Sequence, residues 1–204
     1  MIKNLLFDLG GVIMDIRREN AVKALEKIGL SEADEMLGLY EQKGPFMLLE
    51  EGAITPAQFR DQIRRRIPHE VTDAQIDNAF LQFLIGIPRE RLTALDQLRQ
   101  RGFNIYLLSN TNPIMWNTKI REEFTKQGFD INHYFQGMVT SFEAKSMKPD
   151  PQIFRYAIEH LGITPGETLF LDDSQLTLDS AGQLGFHTAL VKPGDEFINL
   201  IPQV

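Results

Sequence analysis

Three short runs, apolar at their centres and polar at their ends, constrain this chain more than any other feature. They are Leu5-Leu6-Phe7 running into Asp8, NIYLLS (104–109) running into Asn110-Thr111-Asn112, and TLFLDD (168–173), which closes on Asp172-Asp173. Apolar stretches this short, separated by helical patterns, suit strands buried on both faces, and such strands belong to parallel sheets covered by helices on each side. Two further strands are read at HTALV (187–191) and around Gly137-Met138-Val139.

Helix signals fill the gaps. Pro88 opens a segment in which Leu92, Leu95 and Leu98 recur on related faces, and Gly102 can stop it. Asp150-Pro151 pairs a cap with a first-turn proline ahead of Ile153, Phe154, Ala157 and Leu161. Residues 175–184 suit another helix before Gly185. From 15 to about 87 the strand signals disappear. Ala21, Val22, Leu25 and Ile28 fit one helix. Thr55-Pro56-Ala57-Gln58 and Thr72…Gln75 read as capping boxes, ahead of the stripes Phe59, Ile63, Ile67 and Ile76, Phe80, Leu84. The expected fold class is therefore α/β: a Rossmann-like three-layer core with a parallel sheet, formed by residues 1–14 and 88–204. A small all-helical insert, residues 15–87, follows the first strand and is placed above the edge where that strand ends.

The 204 residues suffice for a sizeable core, and their formal charge of -7 disfavours nucleic-acid partners. Without cysteine, disulfides and thiolate metal sites are excluded. No apolar run is long enough to span a bilayer, and MIKNLLFDLGG is interrupted too early for a signal peptide, so a cytoplasmic protein without membrane contact is expected.

In an open parallel sheet, the carboxyl ends of the strands form the ligand crevice. Asp8, Ser109-Asn110 and Asp172-Asp173 all fall there, and Lys148-Pro149-Asp150 lies just before a helix. Singly, each has an ordinary reading: Asp8 as a turn residue, Ser109-Asn110 as a cap, Lys148 as a solvated charge. Asp172-Asp173 resists that reading, because adjacent carboxylates at a buried strand end repel unless a cation or donors offset them. Together the groups make one device. Asp8 and Asp173 can hold Mg²⁺ with the Gly10 carbonyl, and Asp172 can act directly or through water. Asp8 keeps a carboxylate oxygen for attack on phosphorus, giving an aspartyl-phosphate. Ser109 and backbone N–H groups, with Asn110 beside them, can bind the phosphoryl oxygens, Lys148 can neutralise remaining charge, and Gly11 permits close backbone approach.

On these residues the chain resembles the haloacid dehalogenase-like (HAD) superfamily, phosphatase branch, with a small helical cap. FDLGGV matches the nucleophile motif at Asp8, LLSNTN the Ser/Thr motif at Ser109, KPDPQIF the lysine motif at Lys148 and FLDDS the acidic motif at Asp172 and Asp173. The wording is most similar to the group containing α-glucose-1-phosphate phosphatases and the N-terminal domains of epoxide hydrolases. The resemblance implies an Mg²⁺-dependent phosphomonoester hydrolase with Asp8, Gly10 and Asp173 as ligands, acting on a small phosphorylated metabolite such as glucose-1-phosphate. A monomer or homodimer is expected. The alternatives are a weakly active or regulatory phosphate-binding protein and a haloacid dehalogenase-like hydrolase; Asp172-Asp173 argues for the metal-dependent branch.

Most phosphatases of this family carry an aspartate two residues after the nucleophile as general acid and base. Here Gly10 stands in its place. The substrate then needs a leaving group that requires little protonation, as an anomeric phosphate does, or a carboxylate such as Asp15 or Glu51 reaches in from the cap side. Within the cap, Glu50-Glu51-Gly52 is the candidate loop for sugar hydroxyls. Phe46 and Arg64-Arg65-Arg66 read as core and solvated face. Trp116 suits either a sugar or the cap, and the four histidines show no zinc spacing.

Overall fold

A computed structural model describes residues 1–38, 42–126 and 128–202. Among the described residues seven strands are formed: β1 (Asn4–Phe7), β2 (Asp15–Ile16), β3 (Leu84–Gly86), β4 (Asn104–Ser109), β5 (Gly137–Thr140), β6 (Thr168–Asp172) and β7 (His187–Leu190). Five make one sheet in the order β5-β4-β1-β6-β7, and every pairing within it is parallel. Strands β1 and β6 are buried along their whole length, as the apolar runs Leu5-Leu6-Phe7 and Leu169-Phe170-Leu171 at their centres require.

Side-chain alternation divides the core into two layers. Leu5, Phe7, Ile105, Leu107, Leu169 and Leu171 face helix Arg89–Gln100 and the Phe197 ring. Leu6, Leu108 and Phe170 face the other way, onto Ile153, Phe154 and Ala157 of helix Pro151–Leu161 and onto Leu178 and Ala181 of helix Gln175–Gln183. The expected Asp150 cap is present, accepting from the Gln152 N–H at 2.8 Å, and Ser174 adds a cap that the sequence reading did not name, accepting from the Thr177 N–H at 3.4 Å.

Between β1 and helix Arg89–Gln100 the chain makes helices Arg18–Lys27, Ala33–Met36, Pro45–Glu50, Pro56–Arg64 and Asp73–Phe80. Both capping boxes form, the Gln58 and Gln75 side chains reaching back to the backbone N–H of Thr55 and Thr72 at 2.8 Å. Phe46, Phe59 and Phe80 build the centre of this segment, with ring centroids 4.9–5.6 Å apart. That places Phe46 in the core packing. The Arg64 guanidinium is spent on Asp61, at 2.7 Å, and on Asp73. Trp116 is buried, with the Arg121 guanidinium 5.4 Å from its ring centre, and takes the packing role of the two open to it.

One feature lies outside the helical reading of this segment. β2 and β3 pair antiparallel, Asp15 opposite Gly86 and Ile16 opposite Leu84, so the chain enters and leaves the segment side by side. Two- and three-residue strands carry too few side chains for a period-2 signal.

Truncation of Phe59 to alanine removes one member of the aromatic trio and leaves a cavity that rigid helices cannot fill. Chemical denaturation should register a loss of about 3–5 kcal/mol for Phe59→Ala.

Candidate active site

The register of the sheet assembles the site. Phe7 lies opposite Leu171, so the next residues, Asp8 and Asp172, emerge as neighbours at the carboxyl ends of adjacent strands. Ser109 ends β4 on the other side of β1, opposite Thr140. By alternation Asp8 and Asp172 project to the face of Leu6 and Phe170, the face from which helix Pro151–Leu161 and the preceding Lys148 approach. The Lys148 ammonium lies 5.6 Å from the Phe170 ring centre, stands 2.8 Å from Asp8 Oδ1 and donates to Asp172 Oδ2 at 2.6 Å.

Asn110 fixes that lysine from behind. Its amide donates to the Lys148 carbonyl and accepts from the Lys148 N–H, both at 2.9 Å. With both polar ends of the side chain so engaged, Asn110 has its backbone N–H left to offer an oxyanion. The Asp172 carboxylate is likewise occupied on both oxygens, Oδ2 by Lys148 and Oδ1 by the Ser174 N–H at 2.8 Å. Ser109 is buried, and its hydroxyl lies 3.3 Å from the Asn110 carbonyl.

Asp8, Asp172 and Asp173 each offer a carboxylate oxygen, and the three lie within 4.8 Å of one another. Their charges exceed what one ammonium offsets. Burial, opposed by Lys148 but reinforced by Asp172 and Asp173, pushes the Asp8 carboxyl up to about 7. Burial and the Asp172 charge raise Asp173 as well. For Lys148, burial works against the charged form, yet Asp172 and Asp8 overcome it and hold the ammonium protonated. An all-oxygen donor set with surplus negative charge is the chemistry that a hard divalent cation fits. Asp8 and Asp173 have the freer oxygens for it. The Leu9 and Met14 carbonyls take the backbone bonds flanking Gly10, and among the described residues no backbone N–H is bonded to the Gly10 carbonyl.

Gly11 has φ +75°, and a Cβ there would overlap the Asp173 carboxylate. The close approach at Gly11 is thus to a carboxylate of the cluster. Gly10 is under no such pressure, since a Cβ would meet only Ile16 methyl groups at 3.4 Å and beyond. Asp15 pairs with Arg91 at 2.7 Å, and Arg91 also holds the Ile13 carbonyl and Glu196. That engagement commits Asp15 to the base of the helical segment.

Ser141 and Lys145 form one seam between the segment and the sheet's carboxyl edge. The Ser141 hydroxyl lies 2.6 Å from the Glu50 carbonyl, 2.9 Å from the Thr111 carbonyl, and accepts from the Thr111 N–H at 3.0 Å. Lys145 donates to the Gly52 carbonyl at 2.6 Å. Gly52 sits so close to the Phe142 carbonyl, at φ +69°, that a Cβ would overlap it. Sequence reasoning found the loop 50–52 but not Ser141 or Lys145, whose surroundings depend on a contact ninety residues away along the chain.

A family model described as haloacid dehalogenase-like hydrolase matches residues 2–185. D-ribitol-5-phosphate phosphatase from Bacteroides thetaiotaomicron is 38% identical, over 92% of this chain and 91% of that protein. Rat bifunctional epoxide hydrolase 2 is 26% identical over 91% of this chain, which spans 36% of that longer protein. A crystal structure of a HAD family enzyme from Bacteroides thetaiotaomicron, in complex with magnesium and inorganic phosphate, superposes with a TM-score of 0.92 at 40% identity. The match covers 99% of this chain and all of that one.

Replacing Gly11 with alanine forces Asp173 aside and strains the backbone. Titration calorimetry on Gly11→Ala should show Mg²⁺ affinity lowered by about 10–100-fold, the range seen when support of a ligand is lost.

Proposed function

The chain belongs to the haloacid dehalogenase-like hydrolases and is a phosphatase with magnesium as its cofactor; on that premise we propose that it hydrolyses a small phosphorylated sugar or polyol through an aspartyl-phosphate on Asp8. The observation that carries this reading is the Lys148 ammonium set between Asp8 and Asp172, at 2.8 and 2.6 Å, with Asp173 in the same cluster. Magnesium held by Asp8, Asp173 and the Gly10 carbonyl would withdraw charge from the phosphoryl oxygens. Asp172 holds Lys148 and would act on the ion directly or through water. Asp8, relieved of its neighbours' repulsion, presents the oxygen that attacks phosphorus. Lys148, the Ser109 hydroxyl and the backbone N–H groups after Ser109 line the equatorial oxygens of the transferring group, where fixed donors cost no reorganisation during reaction. Residues 15–87 act as a cap over this pocket and read the rest of the substrate, excluding bulk water.

The substrate class follows from the similarity to D-ribitol-5-phosphate phosphatase and from the polar loop Glu50-Glu51-Gly52 at the seam. Ribitol-5-phosphate and glucose-1-phosphate are the two esters to compare, one a primary alkyl phosphate and the other an anomeric phosphate. Among the described residues no helix is long and apolar enough to cross a membrane.

Excess EDTA should abolish phosphate release and added Mg²⁺ restore it; hydrolysis that continues in the chelator removes the ion from the reading. Asp8→Asn should lower turnover by at least about 10³-fold, as loss of a nucleophile does, with circular dichroism unchanged. Across a panel of sugar phosphates, polyol phosphates, nucleotides and a phosphoprotein, kcat/KM should be highest for a five- or six-carbon sugar or polyol ester. A preference for the phosphoprotein would overturn the cap's assigned role.

A further inference from the structure

Cleaving an alkyl phosphate leaves an alkoxide that needs a proton, and the position beside Asp8 from which one is usually delivered is Gly10. The carboxylates around it are committed: Asp172 to Lys148 and Ser174, Asp15 to Arg91, Asp173 to the metal cluster. One further acidic residue has its backbone held at the same edge of the sheet. Glu50 is the last residue of helix Pro45–Glu50, and its carbonyl is 2.6 Å from the Ser141 hydroxyl. That hydroxyl in turn accepts from the N–H of Thr111, two residues beyond Ser109. The Lys145–Gly52 bond at 2.6 Å and the packing of Gly52 on Phe142 clamp the next turn of chain to the same helix, Ser141–Ala144. The backbone of Glu50 is thereby held beside the residues that follow β4. Among the described residues its side chain has no hydrogen bond or ion pair, and burial pushes it up to about 7. A carboxyl of that kind still carries its proton near neutrality, as a general acid requires.

We propose that Glu50 donates the proton to the leaving oxygen, supplying from the cap the function that Gly10 lacks. This rests on the reading of Asp8 as nucleophile. As the Asp8 oxygen bonds to phosphorus and the ester P–O bond breaks, the Glu50 proton passes to the departing oxygen and the product leaves as an alcohol. Glu50, now a carboxylate, takes a proton from the water that attacks phosphorus of the aspartyl-phosphate. That second step releases inorganic phosphate, frees the Asp8 carboxylate and restores the Glu50 acid.

Rapid quench of wild type, Glu50→Gln and Glu50→Ala with aryl and primary alkyl phosphates reads the first step directly. Wild type should show a shallow dependence on leaving-group pKa. Glu50→Gln should lose about 10²–10⁴-fold on the alkyl ester and roughly tenfold or less on p-nitrophenyl phosphate, whose leaving group needs little protonation. Its aspartyl-phosphate should also persist longer. Added imidazole, a small acid available near neutrality, should restore part of the alkyl rate in Glu50→Ala, a rescue that a purely structural residue would not give. Equal losses on both esters, no loss on either, a raised KM at unchanged kcat, or a steep dependence already in wild type would each overturn the assignment. Thermal melting identifies a variant that has failed to fold, in which case the other variant carries the comparison. Asp8→Asn, run alongside, separates the two ideas: if it retains turnover, the nucleophile reading fails independently of Glu50.

Discussion

The ammonium of Lys148 is the point on which the site depends. It joins the end of β1 to the end of β6 from a third segment, the loop ahead of helix Pro151–Leu161. Asp8 and Asp172 are adjacent because β1 and β6 are hydrogen-bonded in register, and without a cation between them their charges would oppose that register. The sheet brings the carboxylates together and the lysine makes their proximity tolerable. Asn110 extends the arrangement to β4 by gripping the lysine's own backbone. Three strand ends and the Lys148 loop thus form one electrostatic unit, with negative charge left over for a divalent ion.

Around this unit the protein keeps polar groups occupied. Asp172, Asn110 and Asp15 are each bound at a fixed geometry by neighbours, so their contribution is to hold other groups. Such pre-positioning matters because a charged group that must reorient during reaction forfeits much of its effect. Glu50 differs from all of them in having its backbone anchored and its carboxyl uncommitted among the described residues.

Much of this was legible in the sequence, for identifiable reasons. The buried strands were readable because Leu5-Leu6-Phe7 and Thr168–Leu171 carry no charge, and their terminal aspartates stood out against that background. The capping boxes at Thr55 and Thr72 were readable because their chemistry is local, confined to four residues. What sequence could not show was pairwise commitment over long separations. Asp15 reads as a spare carboxylate until Arg91, seventy-six residues on, is found beside it. The hold of the Asn110 amide on the Lys148 backbone, thirty-eight residues on, is likewise invisible in the sequence. On paper Glu51 is the acid of this pair that could reach in, and only the structure turns attention to Glu50, whose backbone meets Ser141 and whose carboxyl is the buried one. The ribbon of β2 and β3 escaped because its strands are shorter than any periodicity.

That ribbon has a consequence for how such a chain can change. Because residues 15 and 16 run beside 84–86, the segment between them leaves and rejoins the sheet domain at a single doorway. Material added or removed beyond the doorway does not rethread the parallel strands, and the entropic cost of a longer excursion grows only logarithmically, about 0.6 kcal/mol per doubling of a flexible loop. The strand-end chemistry and the segment between residues 16 and 84 are thus separable: a change of length within that segment leaves Asp8, Lys148 and Asp172 where the sheet puts them.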